Sequence, residues 1–502
     1  MCVAPCGLTA GTIVNVKSFL IKPDGRTGTT YPRFCVCGDY AYHRLHGLHD
    51  NPCYHREKAM SRFWNLPVRR PATTVSSAFW RGLTFVTITC ISGPLVAAED
   101  TSLVRVEPES VGVSSARLLL LDTMLRQHVD DGRVAGLVAG VARHGRIVYL
   151  EAMGSQVLVE GAQAATPMRE DSIFQIRSNT KAITSLAVMQ LIEAGLIGLD
   201  DPVSTSIPSF ADMVVFTNPD DPDNSPTRAP SRAVTIKDLL LNVGGLSHRD
   251  GALYQSRAVR SRAEPLDVLV EKIAAVPLMG DPGTRWIYSE STSVLSRVVE
   301  IVSGQHFDDY LNEHVLQPLS MPDTAFHVPP EKVDRLARIY EVPRDGGALV
   351  RVPEMDVPIT SKPALLEGSV GLVSTVPDYL RFLQAFLDGG ILDGQRVLSE
   401  PLIAEMTRNH IPQELLPIGM SPQNPMLDVG WGYGFTVVID EAKSAYGVNN
   451  GEFGWSGTLG TYAWADPETD MVAIIMLQIA PASAHRLPQK FKALVSQTPI
   501  DE

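Results

Sequence analysis

Apolar residues follow two patterns along the chain, and each pattern predicts a different kind of element. Towards both ends, short and largely apolar runs are separated by turn-forming residues, which is typical of β-strands. Two of these runs flank His144-Gly145 and predict a β-hairpin, and residues 466–470 predict a turn between two of the later runs. The predicted strands are 137–141, 146–150, 434–440, 461–465 and 471–478.

In the middle of the chain, apolar residues recur at steps of three and four residues, which predicts helices. Thr375 and Asp378 resemble a capping box before one of them, and Gly389 resembles its C-cap. Segments 216–232 and 341–363 are rich in turn formers, and we expect surface loops there. The predicted helices are 235–241, 265–275, 292–303, 307–315 and 377–388, followed by a last one over about 483–497.

Strands at both ends with helices between them predict one sheet built from the two chain ends. We therefore expect an α/β (α+β) fold in which an antiparallel sheet is flanked by helices. A mainly helical lobe, roughly residues 200–365, would be inserted into it. The length of 99–502 exceeds that of most single domains, which favours such a two-lobed body.

The first 98 residues differ from the rest in charge and in cysteine content. They hold 11 Lys and Arg against 4 Asp and Glu, and they contain all six cysteines. The remaining residues hold 32 Lys and Arg against 52 Asp and Glu, and no cysteine. The main body therefore offers no thiol nucleophile or thiolate metal site, and its acidic balance argues against nucleic acid as a partner.

A secretory signal is predicted within this N-terminal part. Residues 82–96 are apolar and uncharged, basic residues precede them, and Val96-Ala97-Ala98 offers a signal-peptidase site. The run is short for a membrane span, which takes about 20 residues. Met60 is a candidate start, and the sequence leaves the true start open. The chain then divides into a non-structured or mis-assigned upstream extension (1–59), a signal peptide (60–98) and a periplasmic or secreted domain (99–502).

The upstream extension also holds a cluster of cysteines and histidines between Cys35 and His55. Such residues can bind zinc, but their spacing fits no common zinc module. The sequence leaves open whether this cluster binds a metal.

The most informative stretch of the main body is Ser178-Asn179-Thr180-Lys181, the only SxxK in the sequence. It opens a run with helical period, which Gly195 is expected to end. On a helix, the side chains of Ser178 and Lys181 lie on one face. A serine hydroxyl needs a neighbouring base to act as a nucleophile, and a desolvated lysine can accept its proton. Because a chance SxxK is common, the motif needs support from other residues.

Two later segments add candidate chemistry. Tyr288 follows a Pro-Gly turn and precedes a helix expected to begin near Ser291, where the helix dipole stabilises a phenolate. A tyrosine that only packs would fit the same pattern. The segment 454–461, Gly-Trp-Ser-Gly-Thr-Leu-Gly-Thr, leads into a strand and allows a ligand close to its backbone, although a plain hairpin turn is also compatible.

In this order, SxxK, Tyr288-Ser289 and Trp455-Ser456-Gly457 resemble the motifs of the serine β-lactamase and penicillin-binding-protein superfamily. The resemblance covers roughly residues 105–495. It is closest to the class C β-lactamase-like branch, which includes the family VIII carboxylesterases. It implies a β-lactamase-like fold with the active site between the sheet and the helical lobe.

The resemblance also implies a role for each matching residue. Ser178 would be the acylated nucleophile. Lys181 would be its proton acceptor or a cation beside the tyrosine, and Tyr288 would be the base that returns a proton to the leaving group. Trp455, Ser456 and Gly457 would line the cleft, and the backbone N–H groups of Ser178 and Thr458 would form the oxyanion hole. No cofactor and no metal is implied.

The sequence departs from the family pattern at three places. Trp455 stands where penicillin-recognising members carry the lysine of Lys-Thr-Gly, which disfavours recognition of a β-lactam carboxylate and is similar to family VIII esterases. Glu290 stands where β-lactamases have asparagine. The segment 242–246, Asn-Val-Gly-Gly-Leu, replaces His-Thr-Ser-Gly-Leu, which we expect to affect local structure more than chemistry.

We therefore predict a serine hydrolase that cleaves short-chain carboxylic esters through an acyl-enzyme. The alternatives are a β-lactamase or D-amino-acid peptidase, an acyltransferase on the same scaffold, and an inactive penicillin-binding-like module. A Ser-His-Asp hydrolase and a zinc hydrolase are disfavoured because the sequence has no GxSxG and no HExxH. The expected partner is a small-molecule ester or amide. A membrane would be contacted only through an uncleaved signal segment, and the oligomeric state is left open.

Overall fold

The computed structural model describes residues 20–21, 27–28, 103–159, 164–353, 357–421 and 423–500. The chain forms two compact units, Met1–Ile91 and Ser92–Glu502. In the first unit, Leu20–Ile21 pairs antiparallel with Thr27–Gly28. The predicted signal segment and the Cys/His cluster lie outside the described residues, so the predicted division of the chain and its export stay predictions.

Within the described residues, a nine-stranded sheet organises the second unit. Its strands are β1 (Val104–Arg105), β2 (Gly136–Arg143), β3 (Arg146–Val157), β4 (Thr166–Pro167), β5 (Val429–Trp431), β6 (Thr436–Val438), β7 (Phe453–Ser456), β8 (Tyr462–Asp466) and β9 (Met471–Leu477). Their spatial order is β5-β6-β7-β8-β9-β2-β3-β1, with β4 paired to β3, and all pairs are antiparallel except β1 with β3.

The helices lie mostly between β4 and β5. They are α1 (Ser115–Asp130), α2 (Thr180–Glu193), α3 (Ile236–Leu240), α4 (Ala252–Ser256), α5 (Leu266–Ala274), α6 (Ser291–Ser303), α7 (Phe307–Leu311), α8 (Val376–Leu387), α9 (Glu400–Met406) and α10 (Leu487–Val495). Short 3-10 helices include Pro108–Val111, Arg177–Asn179, Val203–Thr205, Pro208–Asp212, Pro330–Arg335, Gln413–Leu415 and Glu441–Lys443.

Short strand pairs brace the loops around the sheet. Tyr340–Glu341 pairs on its two sides with Val350–Arg351 and Ile479–Ala480. The other pairs are Phe174–Gln175 with Val373–Ser374, Val215–Phe216 with Thr227–Arg228, Ile391–Leu392 with Gln395–Arg396, and Ile418–Ser421 with Asn424–Met426.

The two chain ends meet in the centre of the sheet, as the sequence predicts. Strand β9 lies antiparallel to β2, with Met471 opposite Arg143 and Leu477 opposite Leu137. Alternate residues of a strand point to opposite faces. Accordingly, Leu137 belongs to the apolar cluster that contains α1 and α10, whereas Val138 belongs to the cluster that contains α2 and α8. Helices therefore cover both faces of the sheet.

Two close approaches bring the helices onto the sheet. At Gly140 of β2, an added Cβ would lie 2.7 Å from Cγ1 of Val376 and 2.9 Å from Cδ1 of Leu380, so α8 packs directly on this strand. At Gly434, an added Cβ would lie 3.0 Å from the Cα of Ala182 in α2. The chain turns there with φ +101°, which explains why β6 begins only at Thr436 and not at the predicted 434.

Most predicted elements are confirmed, with shifted ends. The helix predicted over 307–315 is α-helical only to Leu311 and continues as a π-helix over Asn312–Leu316. The last helix begins at Leu487, later than predicted, because Arg486 adopts φ +50°.

The capping box predicted for α8 is only half formed. The Thr375 hydroxyl accepts from the N–H of Asp378 at 3.2 Å. The Asp378 carboxylate instead accepts from the N–H of Asp323 and the hydroxyl of Thr324, both at 2.8 Å. Asp378 therefore ties α8 to a remote loop. A complete capping box occurs at α3, between Thr235 and Asp238.

No helix among the described residues is both long and apolar enough to span a membrane. The same part of the chain contains no group of three or more His, Cys, Asp and Glu side chains arranged to hold a metal ion.

Candidate active site

The SxxK segment lies at the start of α2. Ser178 is in the 3-10 turn Arg177–Asn179, and α2 follows from Thr180 to Glu193, so the predicted helix and its end before Gly195 are confirmed. The side chain of Ser178 is buried, as is Lys181 one turn later. Arg177 has φ +50°, a left-handed conformation that non-glycine residues seldom adopt and that tends to occur at functional sites.

Lys181 is held between a carbonyl and an aromatic ring. Its Nζ donates to the backbone oxygen of Ser369 at 2.9 Å and lies 4.6 Å from the ring centroid of Tyr288. Only 1% of Lys181 is exposed. A buried ammonium in contact with a ring face is stabilised by the ring quadrupole. The structure therefore brings Lys181 to Tyr288 across a separation of more than one hundred residues.

Tyr288 lies in an aromatic cage three residues before α6. Its ring is 5.4–6.1 Å, centroid to centroid, from those of four aromatic residues, His248, Trp286, Trp431 and Trp455. Its phenol oxygen accepts a hydrogen bond from Nε1 of Trp455 at 2.9 Å. The tryptophan that replaces the family's lysine thus contacts the candidate base directly and stabilises negative charge on its oxygen.

The glycine-rich segment after β7 packs against the turn that carries Ser178. An added Cβ on Gly457 would lie 2.5 Å from the carbonyl oxygen of Ile176, and the Thr461 hydroxyl donates to that same oxygen at 3.2 Å. Among the described residues, the amides of Ser178 and Thr458 donate no backbone hydrogen bond. They are therefore available as donors to an oxyanion.

Ser456 and Trp455 face opposite sides of β7, because they are consecutive residues of this strand. Ser456 is exposed and lines a second cavity, of about 670 Å³, which Trp455, Gly457 and Lys492 also line.

Glu290 is a functional candidate whose environment the sequence did not reveal. It is completely buried, lies 3.3 Å from Nε of Arg249, and accepts from the Ser293 hydroxyl at 2.6 Å. Burial raises its pKa, but the charges of Arg249 and Lys181 outweigh this effect and hold the pKa at about 2. Glu290 is therefore an anion that balances the charge of Lys181.

Asn242 positions the tyrosine segment. Its backbone oxygen accepts from the N–H of Ile287 at 2.8 Å, and its side-chain oxygen accepts from the N–H and hydroxyl of Ser289 at 3.2 and 3.3 Å. Asn242 has φ +56°, a conformation that asparagine tolerates better than most residues. The only signal in the sequence was that this segment departs from the family pattern.

A cavity of about 710 Å³ opens beside Tyr288. Its apolar wall includes Met279, Trp286, Ile418 and Met420, and His248 lies at the same wall. Burial lowers the pKa of His248, and the charge of Arg249 acts in the same direction, so the imidazole is neutral near pH 7. Tyr288 itself lines this cavity, which is large enough for a small-molecule ligand.

This chain is similar to one protein family and to several known proteins. The family described as Beta-lactamase matches residues 121–495. Esterase EstB of Burkholderia gladioli is 30% identical over 398 residues, covering 74% of this chain and 94% of EstB. Lovastatin esterase of Penicillium rubens is 28% identical over 374 residues, covering 71% of this chain and 92% of that protein.

Among solved structures, EstCE1, described as a hydrolase with promiscuous acyltransferase activity, superposes with a TM-score of 0.65. It is 24% identical and covers 76% of this chain and 100% of its own, which shows a common fold. The predicted β-lactamase-like fold and the predicted resemblance are thereby confirmed. The chain belongs to the β-lactamase family, and at that level it is a hydrolase.

Proposed function

We propose that this chain is a serine hydrolase that cleaves carboxylic esters through an acyl-enzyme on Ser178. The observation that carries the proposal is the meeting of Lys181 and Tyr288, with Nζ 4.6 Å from the ring centroid, at the turn that bears Ser178. A buried amine and a buried phenol beside a serine can supply the base that the hydroxyl needs.

In the acylation step, the Ser178 hydroxyl loses its proton to the Tyr288–Lys181 pair as its oxygen attacks the ester carbonyl carbon. The carbonyl oxygen becomes an oxyanion that accepts from the N–H groups of Ser178 and Thr458. Loss of one such donor typically costs about 3 kcal/mol of barrier. The C–O bond to the alcohol then breaks, and Tyr288 returns the proton to the leaving oxygen. In the deacylation step, water attacks the carbonyl carbon of the acyl-enzyme and gives a proton to the same pair. The C–O bond to Ser178 then breaks, the proton returns to the Ser178 oxygen, and the carboxylic acid is released.

The environment of Trp455 favours esters over β-lactams or peptides. Its indole N–H is used by the phenol oxygen of Tyr288, and it carries no positive charge for a substrate carboxylate. The 30% and 28% identical relatives are both named esterases, which supports the same choice.

The test is a substrate panel on the full chain. We expect hydrolysis of 4-nitrophenyl acetate and butyrate, little turnover of nitrocefin, and loss of both ester turnover and fluorophosphonate labelling in Ser178→Ala. The matched control is Ser456→Ala, which should still be labelled because that side chain points away from Tyr288. Fast nitrocefin cleavage would favour the lactamase alternative, and full activity of Ser178→Ala would exclude the proposed nucleophile.

Acyl transfer to an alcohol is a second candidate. The 710 Å³ cavity beside Tyr288 can hold an acceptor larger than water, and EstCE1 is described as having promiscuous acyltransferase activity. If so, adding a small alcohol should partition the acyl-enzyme towards the new ester, which chromatography of the products would detect. Hydrolysis alone at high alcohol concentration would exclude this activity.

A further inference from the structure

Glu290 is a buried carboxylate that the proposed reaction steps do not use. It directly precedes α6 and is completely buried, so it is not exposed to a substrate. Within the described residues its Oε1 makes no hydrogen bond, although Nε of Arg249 lies 3.3 Å away. A buried charge without its full set of hydrogen bonds is costly. The fold therefore keeps a negative charge at this position at some cost to its stability.

The other carboxylate oxygen of Glu290 is connected to Lys181 through two serines. The oxygen of Ser293, three residues later on α6, lies 2.6 Å from Oε2 of Glu290 and 2.8 Å from Oγ of Ser369. The backbone oxygen of Ser369 accepts from Nζ of Lys181 at 2.9 Å. Both serines and the lysine are buried. Each link is a direct hydrogen bond, so the carboxylate helps to fix where the amine lies.

The segment 367–369 is fastened on both sides, which keeps this carbonyl in place. Glu367 forms a two-pronged ion pair with Arg260, in which Nε lies 2.8 Å from Oε2. The backbone oxygen of Gly368 accepts from the hydroxyl of Thr184 on α2 at 2.9 Å. The carbonyl at the end of the segment therefore has little freedom to move.

Charged and titratable side chains from several elements surround Glu290. Those that face it or its cations are Tyr288 of the same segment, His248, Arg249 and Asp250 before α4, Tyr254 of α4, Arg260 after it, Glu367, and Lys181 of α2. Burial raises the pKa of Tyr254 and lowers that of His248, so both are uncharged near pH 7. A change of charge at Glu290 or Arg249 therefore alters the charge balance around the lysine.

We propose that Glu290 is a positioning residue for Lys181 and that, with Arg249, it sets the pH range in which the serine hydroxyl is activated. The hydrogen bonds through the two serines hold the amine in place. The negative charge of Glu290 favours a proton on the amine–phenol pair, whereas the positive charge of Arg249 disfavours it. The inference rests on the proposed acyl-enzyme reaction. It does not follow from the family resemblance, because β-lactamases have an uncharged asparagine at this position.

Two variants that each remove one charge test the electrostatic part, because they should act in opposite directions. In Glu290→Gln, the pH profile of kcat/KM for 4-nitrophenyl butyrate should shift to lower pH by about one unit, the scale of a nearby charge. In Arg249→Gln, the profile should shift to higher pH. A purely structural role would lower activity without opposite shifts. Shifts in the same direction, or profiles that coincide with wild type, would overturn the proposal.

Glu452→Gln is the matched control for the charge. It also removes a buried carboxylate from an ion pair, but its partner is Lys492 of α10. Its pH profile should coincide with that of the wild type. A shift as large as that of Glu290→Gln would show that any buried carboxylate has this effect, and would contradict the proposal.

Ser293→Ala tests the positioning part, because it keeps both charges and removes the hydroxyl between Glu290 and Ser369. A misplaced catalytic group is costly even at a displacement of about 1 Å, so kcat should fall roughly 10-fold or more while KM changes little. Ser303→Ala is the control at the other end of α6, where the hydroxyl donates to the backbone oxygen of Val299 at 2.6 Å. Equal kcat in the two variants would exclude the positioning role.

Fluorophosphonate labelling separates this inference from ester hydrolysis. The labelling rate of Ser178 depends on activation of its hydroxyl and not on an ester substrate. If the chain cleaves no ester, opposite pH shifts of labelling in Glu290→Gln and Arg249→Gln would still support the inference. Hydrolysis and labelling with the same pH profile in wild type and both variants would leave the proposed function standing and exclude the inference.

Discussion

At the scale of single residues, the chemistry converges on the phenol of Tyr288. Lys181 lies over its ring, and Trp455 donates to its oxygen. The aromatic rings bury most of Tyr288 and lower the polarity around its phenol, which strengthens both interactions. Trp455, which stands in place of the family's lysine, therefore contacts the candidate base and carries no positive charge.

Tyr288→Phe tests the phenol alone. The phenyl ring retains the cage and the contact with Lys181, so only the hydroxyl is lost. We expect kcat for 4-nitrophenyl butyrate to fall by roughly 10²–10⁴-fold, the range for an acid–base group. Tyr149→Phe on β3, whose hydroxyl donates to Asp122 of α1, is the control and should retain kcat. Unchanged turnover in Tyr288→Phe would remove the tyrosine from the mechanism.

Trp455→Phe tests the indole N–H. The variant keeps an aromatic ring in the cage but cannot donate to the phenol oxygen. Because hydrogen bonds to charged groups contribute about 1.5–3 kcal/mol, kcat should fall by roughly 10- to 100-fold. Trp464→Phe, which packs against Phe491 of α10, is the control in the same sheet. If steady-state kinetics gave the same kcat for Trp455→Phe and Trp464→Phe, the proposed role of the indole N–H would be contradicted.

At the scale of elements, α3 positions the tyrosine. Its capping box fixes where the helix starts, and Asn242, just beyond its end, holds the backbone on both sides of Tyr288. Leu240 of α3 also accepts from Nε1 of Trp431, a member of the aromatic cage. One short helix thus connects the candidate base with its surroundings.

Replacement of Asn242 separates its two contributions. Asn242→Ala should cost about 1–3 kcal/mol for the lost acceptor plus about 1–2 kcal/mol for the left-handed backbone. Asn242→Gly should suffer only the first loss, because glycine adopts positive φ freely. Urea denaturation measures both, and kcat should fall in each variant as Tyr288 loses its support. Equal stability of wild type and Asn242→Ala would contradict this assignment.

At the scale of the whole molecule, a sheet made from both chain ends carries helices on each face, and the turn that carries Ser178 lies at the start of α2 and packs against the end of β7. Stability also depends on buried charges far from the site. Asp378 is an example, because burial raises its pKa to about 6, although Thr324 and the N–H of Asp323 oppose this by hydrogen bonding.

The raised pKa of Asp378 predicts a pH dependence of stability. Between pH 3.8, the ordinary pKa of the group, and about 6, the folded state binds more protons than the unfolded state, so this residue makes the free energy of unfolding fall as pH rises. Asp378→Asn keeps an acceptor but removes the charge. Its stability relative to wild type should therefore rise by up to about 3 kcal/mol between pH 4 and 7.

Urea denaturation at several pH values measures this difference. Asp440→Asn is a suitable control, because Asp440 is partly exposed and pairs with Lys443 on the surface. The prediction would be contradicted if the difference in the free energy of unfolding between Asp378→Asn and wild type stayed constant with pH.

Much of the architecture could be predicted from the sequence because it depends on local pattern. The hairpin around His144-Gly145 and the strands near the C-terminus follow from short apolar runs between turn residues, and most helices follow from a period of about 3.6 residues. The ends were less predictable. The start of β6 depends on the contact of Gly434 with α2, and the capping of α8 depends on a loop more than fifty residues earlier.

The sequence by itself determined the family, the sheet made from both chain ends, and the order of the three motifs, since these are written in short stretches of chain. Only the tertiary structure decided which side chains meet. Trp455 reaches Tyr288 across 167 residues, and Glu290 and the arginines acquire their charge balance only when distant segments pack together. Local patterns specify elements, whereas burial and electrostatic contact depend on how those elements are assembled.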